Sequence, residues 1–60
     1  MHINREIGDY QIKSAEANRA PFYVHKLGDG EPISEHDYVT AAMHAILRYQ
    51  QGDERRARQR

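Results

Sequence analysis

Four histidines, four tyrosines and an arginine-rich end are the groups in this 60-residue chain with chemistry to offer. The histidines invite a metal reading, and their spacing argues against it. His36 and His44 stand eight residues apart, about 80° from each other around a helix, so they cannot chelate as an i, i+4 pair would. No HExxH and no cysteine accompanies them, and no metal or other cofactor is expected. His2 is too near the terminus to assign, and His25 reads as a half-exposed cross-strand residue. Nucleophilic catalysis would need a serine beside a base in a water-excluding cleft. Only Ser14 and Ser34 are available, and Ser34 is better explained as a helix cap. The carboxylates Asp29, Glu31, Glu35 and Asp37 fall in a turn and a first helical turn. A chain of this size also leaves little room for the usual pocket of roughly 300 Å³ or more. The expectation is a protein without catalytic activity.

Tyrosines and arginines carry a different chemistry, that of contact. Tyrosine offers a large ring with a polar tip at low entropic cost and is enriched at interfaces. Tyr23, Tyr38 and Tyr49, with Met43, are the residues expected to meet a protein partner. Arg55, Arg56, Arg58 and Arg60 can bond carboxylates or phosphates bidentately, suiting an acidic protein surface or nucleic acid.

The elements that position these groups follow from periodicity. Residues 1–8 read as a loose lead-in that becomes a strand only at Ile7, with Gly8 as a bulge. Asp9–Ser14 alternates, placing Tyr10 and Ile12 on one face of a half-buried strand. Residues 15–20 read as a loop before Pro21, which biases Ala20 away from helix. Phe22–Leu27 is aromatic and β-branched, the strongest strand in the chain. Gly28-Asp29-Gly30 supplies the positive-φ positions of a tight turn. Glu31-Pro32-Ile33 then adds a short edge strand, since Pro32 cannot donate to a ladder. Ser34 with Asp37 reads as a weak capping box opening a helix over about Glu35–Gln51, with Gly52 as its stop. The fold expected is α+β: a β-hairpin or three-stranded antiparallel sheet packed against one C-terminal helix, with flexible termini. Residues 1–52 form that single domain, and 53–60 are a disordered arginine-rich tail.

Along that helix Val39, Ala42, Met43 and Ile46 share one side. Leu47 flanks them on one edge, and Tyr38, Ala45 and Tyr49 flank them on the other. The apolar arc is roughly 200° wide, about twice what one core face requires. Alanine and tyrosine tolerate exposure, which is the plain explanation. The surplus edge centred on Tyr38 and Tyr49 is otherwise a surface for a partner or a second copy of the chain.

Composition narrows the possibilities further. Val, Ile, Leu and Phe together number ten, a thin supply for a core. Without cysteine there are no disulfide staples, thiol redox chemistry or thiolate zinc sites. No apolar run approaches the ~20 residues that span a bilayer, and the opening MHINREIGDY has no signal-peptide pattern. A cytoplasmic location, in the producing cell or an infected host, is the expectation. Nine basic and nine acidic residues balance, so the whole-molecule field favours neither nucleic acid nor an anionic membrane. The charge is uneven all the same: residues 31–52 are net acidic and the last eight net basic.

The strand–strand–strand–helix order over residues 7–50 resembles the small three-stranded DNA-binding domains of phage integrases in topology alone, without a shared motif. That resemblance would imply a basic sheet face, whereas the strands hold only Lys13 and Lys26 with Asp9 and Glu31 opposing them. The reading that follows is a small interaction protein that binds and regulates a larger protein, of the kind phage or bacteria direct at host machinery such as transcription. A nucleic-acid-binding module using the arginine tail is the alternative, and a homodimer joined along the helix is a third form of the same surface.

Overall fold

The computed structural model describes residues 2–58, with side chains as far as residue 57. Four strands, β1 (His2–Ile7), β2 (Tyr10–Ser14), β3 (Phe22–Lys26) and β4 (Ser34–His36), precede one helix, α1 (Val39–Arg58). The strands form one antiparallel sheet in sequence order, and α1 packs across β2, β3 and β4. The α+β class and the antiparallel sheet under a C-terminal helix are as the sequence implies, with one more strand than expected.

That strand is the N-terminal one. Gly8–Asp9 is the whole connection between β1 and β2, which pair Ile7 with Tyr10. Gly8 holds φ +57°, a conformation that suits glycine at the first central position of a two-residue hairpin turn. A tight turn of this kind brings residues 2–7 alongside β2, so they are paired rather than loose. Gly8 is therefore the turn and not a bulge. The register shift lies between Ile3 and Arg5.

The loop at residues 15–21 is pinned to the sheet. Asn4 donates from Nδ2 to Ser14 Oγ at 2.6 Å, and its Oδ1 accepts from the Asn18 backbone N–H at 2.9 Å. Asn18 takes a left-handed φ of +59°, which Asn tolerates better than most residues. The Ala20–Pro21 peptide bond is cis.

Between β3 and β4 the turn falls at Gly28, as expected, with φ +90° and the Asp29 N–H bonded to the Lys26 carbonyl at 3.0 Å. The edge strand, however, forms at Ser34–His36 and not at Glu31–Ile33. Pro32 is left in the connection, where its missing N–H matters least. This also moves the helix start. Ser34, Glu35 and His36 pair with Val24, Tyr23 and Phe22, so Ser34 is a strand residue and caps nothing. Its hydroxyl shares a 2.8 Å hydrogen bond with His36 Nε2. The helix opens at Val39, and the Ala42 N–H bonds the Tyr38 carbonyl.

The core is Tyr10, Ile12, Phe22, Val24, Ala42 and Ile46, with Ile7, Val39, Met43 and Tyr49 packed around it. Tyr10 and Ile12 do share the buried face, with Ser14 beyond them. At its other end α1 does not stop at Gly52 but runs to Arg58, so residues 53–58 continue the helix and are not a separate disordered tail. An interior glycine costs a helix about 1 kcal/mol relative to alanine. The Asp53 side chain offsets this by accepting a hydrogen bond from the Tyr10 hydroxyl. The Arg-rich last turns also complement the negative end of the helix dipole. Twenty residues give a helix about 30 Å long, while a six-residue strand reaches only about 20 Å. The accessible surface of 4638 Å² exceeds the roughly 4,000 Å² of a compact chain of this mass. No described helix is long and apolar enough to cross a membrane.

Candidate functional site: a groove between the helix and the sheet end

The second half of α1 and the ends of β2 and β3 enclose two adjoining hollows that form one open groove. The larger, about 530 Å³, is lined by Asp9, Lys26, Asp53, Arg56 and Ala57. The smaller, about 270 Å³, is lined by Tyr10, Lys26, Ile33, Arg48, Tyr49, Gly52, Asp53 and Arg56. The expectation that so small a chain has no room for a pocket is thus corrected. A helix longer than the sheet it covers leaves a notch beneath its overhang.

Tyr10 anchors the floor. Its ring packs against Tyr49, with centroids 5.7 Å apart and planes tilted by 31°. The hydrogen bond to the Asp53 carboxylate, followed by burial, pushes the Tyr10 hydroxyl up to about 12. Tyr10 is therefore a neutral donor at ordinary pH, and Asp53 is its acceptor. Around this floor stand Lys26 from β3 and Arg48 and Arg56 from α1. None of the three is held in an ion pair by a carboxylate among the described residues. Arg48, Gly52 and Arg56 are i, i+4 and i+8, so they follow one side of the helix with the glycine between the two guanidinium arms.

The residues singled out in the sequence are distributed over several surfaces. Tyr49 and Arg56 meet in the groove. Tyr38 precedes the helix and is 72% exposed. Ala45, Tyr49 and Arg56 fall within a sector of about 40° at 100° per residue, so the flank of the helix leads into the groove, with Tyr38 ahead of the first turn. Met43 lies on the core side, partly buried against it, and is not part of that flank. Tyr23 is on the opposite face of the sheet, where a hydrogen bond to Glu35 raises its hydroxyl pKa. Arg55 is exposed on the last turns of the helix. The Arg58 side chain and Arg60 lie outside the described residues.

Lys26, Arg48, Gly52 and Asp53 were not singled out as a site. The signal available was a glycine inside a strongly helical run, Gln50 to Arg58, with arginine one turn either side. Reading Gly52 as a stop concealed it.

Two other arrangements were chemically suggestive. Ser34 Oγ and His36 Nε2 are at the distance of a nucleophile and its base. They are alternate residues of an edge strand, neither hollow reaches them, and among the described residues no carboxylate is hydrogen-bonded to the ring. His25 differs from its expected half-exposed state: it is 5% exposed, and both ring nitrogens are buried without a hydrogen-bond partner. Burial, then the Lys13 ammonium, lowers its pKa. Among the described residues no three His, Cys, Asp or Glu side chains are grouped to hold a metal.

No protein-family model matches this chain, and no curated protein or solved structure is detectably similar to it. Function is therefore argued from the groove and its flank.

Proposed function

We propose that this chain is a small non-enzymatic interaction protein that binds and regulates a larger protein, in the cytoplasm of the producing cell or of an infected host. The observation that supports this best is the groove at Tyr49 and Arg56, with Tyr38 exposed ahead of the helix that forms one of its walls. Together they offer aromatic area, a glycine that admits close approach, and guanidinium groups without an ion pair among the described residues, a composition suited to protein contact. Nucleic acid is the weaker reading. Arg55 and Arg56 point about 100° apart around a continuous helix, so they do not line up as a track for successive phosphates.

Affinity capture from host-type lysate, with and without nuclease, tests this. The expected result is one larger protein recovered in both conditions and lost with a folded Tyr38→Ala/Arg56→Ala variant. Recovery that vanishes with nuclease would transfer the function to nucleic acid. Undiminished capture by the double variant would remove this surface from consideration.

A further inference from the structure

Gly52 has no conformational or packing reason to be glycine. It lies in the interior of α1, its φ is not in the left-handed region, and a Cβ built on it would meet nothing within 4 Å. Alanine there would favour the helix. The same position lines the groove, one helical turn from Arg48 on one side and from Arg56 on the other. A residue that weakens the helix while leaving open space between two cations with no ion pair among the described residues is explained by what it leaves room for.

We infer that the groove over Gly52 receives an acidic side chain carried on an apolar segment of the partner, held by Arg48, Arg56 and Lys26. This rests on the reading of the chain as a protein-binding module and names the chemistry of what it binds. Two guanidinium groups and an ammonium around one hollow match a carboxylate, which each arginine can bond through two N–H groups. Tyr49 and Ile33 supply apolar wall, and Ile33 is 46% exposed, so covering it adds to the contact. The remaining charges decide between peptide and nucleic acid. Asp53 sits in both hollows and Asp9 at the mouth of the larger. A phosphodiester chain, charged at every step, would run past both carboxylates. A single carboxylate flanked by apolar side chains brings one charge to a hollow whose lining holds three cations and one carboxylate.

The test uses the full chain, isotope-labelled, titrated with a capped Ser-Leu-Glu-Phe-Ser peptide and followed by amide chemical shifts. Its Ser-Leu-Gln-Phe-Ser counterpart and a short single-stranded DNA oligonucleotide are the controls. Saturable shifts centred on Gly52 are expected, with binding about tenfold weaker for the glutamine peptide and for Arg48→Gln/Arg56→Gln. The decisive variant is Gly52→Ala. It should raise the melting temperature by roughly 2–8 °C and yet weaken the peptide, because its methyl occupies the space above the helix. Equal affinity in Gly52→Ala, equal binding of the glutamine peptide, or no saturable shift at Gly52 would each overturn the inference. Stronger binding of the oligonucleotide would do so as well, in favour of nucleic acid. Capture of a larger protein that depends on Tyr38 and Arg56 but is indifferent to Gly52→Ala would sink this inference and leave the broader reading intact.

Discussion

The two faces of the sheet are built from alternate residues of the same strands and follow different rules. On the helix side Tyr10, Ile12, Phe22 and Val24 are buried together with Ala42 and Ile46, and the polar atom at their margin, the Tyr10 hydroxyl, has an acceptor in Asp53. The opposite face carries Gln11, Lys13, Tyr23, His25 and Glu35, with no helix above it. Its polar groups satisfy one another locally, Gln11 with Glu6 and Tyr23 with Glu35. His25 breaks that pattern, for it is buried on the uncovered face with neither nitrogen bonded. The comparison separates two sources of order. One face is held by apolar burial, which is cooperative, and the other by pairwise polar contacts, which water competes with.

The largest effect should come from breaking the covered face at its centre. Ile46→Ala removes a fully buried side chain and should cost about 2–5 kcal/mol, comparable with the roughly 3–9 kcal/mol of a domain this small. Urea denaturation followed by circular dichroism should show a chain largely unfolded or close to it. A loss well under 1 kcal/mol would mean the covered face is not the main source of stability.

Tyr10→Phe keeps the ring and deletes the hydroxyl that Asp53 accepts from. It should cost about 1–2 kcal/mol and fray α1 beyond Gly52, seen as faster amide exchange over residues 53–57. The parent chain should also lose stability as pH rises from 10 towards 12. The folded hydroxyl titrates at about 12 against 10.0 for the free group, so the folded state holds its proton longer and loses that advantage on deprotonation. The variant should lack this part of the alkaline loss.

His25 sharpens the comparison from the other side. Its folded pKa lies below 6.5, with burial the main cause. The unfolded chain therefore binds the proton first, and stability falls as pH drops below about 6.5. One such group contributes at most about 1.4 kcal/mol per pH unit. Thermal melts between pH 8 and pH 5 should show this slope in the parent chain and a shallower one in His25→Leu. Parallel slopes would mean that the ring is accessible to protons in the fold.

The smallest effect is expected on the uncovered face itself. Tyr23→Phe removes a hydrogen bond from a half-buried tyrosine to the exposed Glu35 and should leave the melting temperature at neutral pH nearly unchanged. A clear drop would show that this face contributes more than local polar contacts.

Much of this architecture was legible in the residues. Alternation at Tyr10, Ile12 and Ser14 marks one buried strand face, and Phe22–Lys26 is a strand by its aromatic and β-branched content. The spacing of Val39, Ala42, Met43 and Ile46 sets the inward side of the helix. These are local patterns, fixed by the twofold period of a strand and the 3.6-residue period of a helix. Part of the candidate site was visible in the same way, since Tyr49 belongs to a flank that periodicity alone defines; Arg56 was legible as a contact residue only by type, because the helix was expected to stop at Gly52.

What tertiary structure decided are the outcomes in which a distant partner outweighs a local preference. Residues 2–7 are a strand because a hairpin at Gly8 supplies a neighbour, although His, Asn, Arg and Glu show little strand preference. Ser34–His36 is a strand because β3 has an edge to pair with, although Ser34 and Asp37 look like a helix cap. The helix passes Gly52 because Tyr10, forty-three residues from Asp53 in sequence, donates to the next residue. The groove arises from that same extension, which adds Asp53, Arg56 and Ala57 to a wall that already holds Arg48 and Tyr49. Local sequence sets which conformations a segment favours by fractions of a kcal/mol per residue. Contacts between segments add larger increments through burial and paired polar groups, and where the two disagree in this chain the contacts prevail.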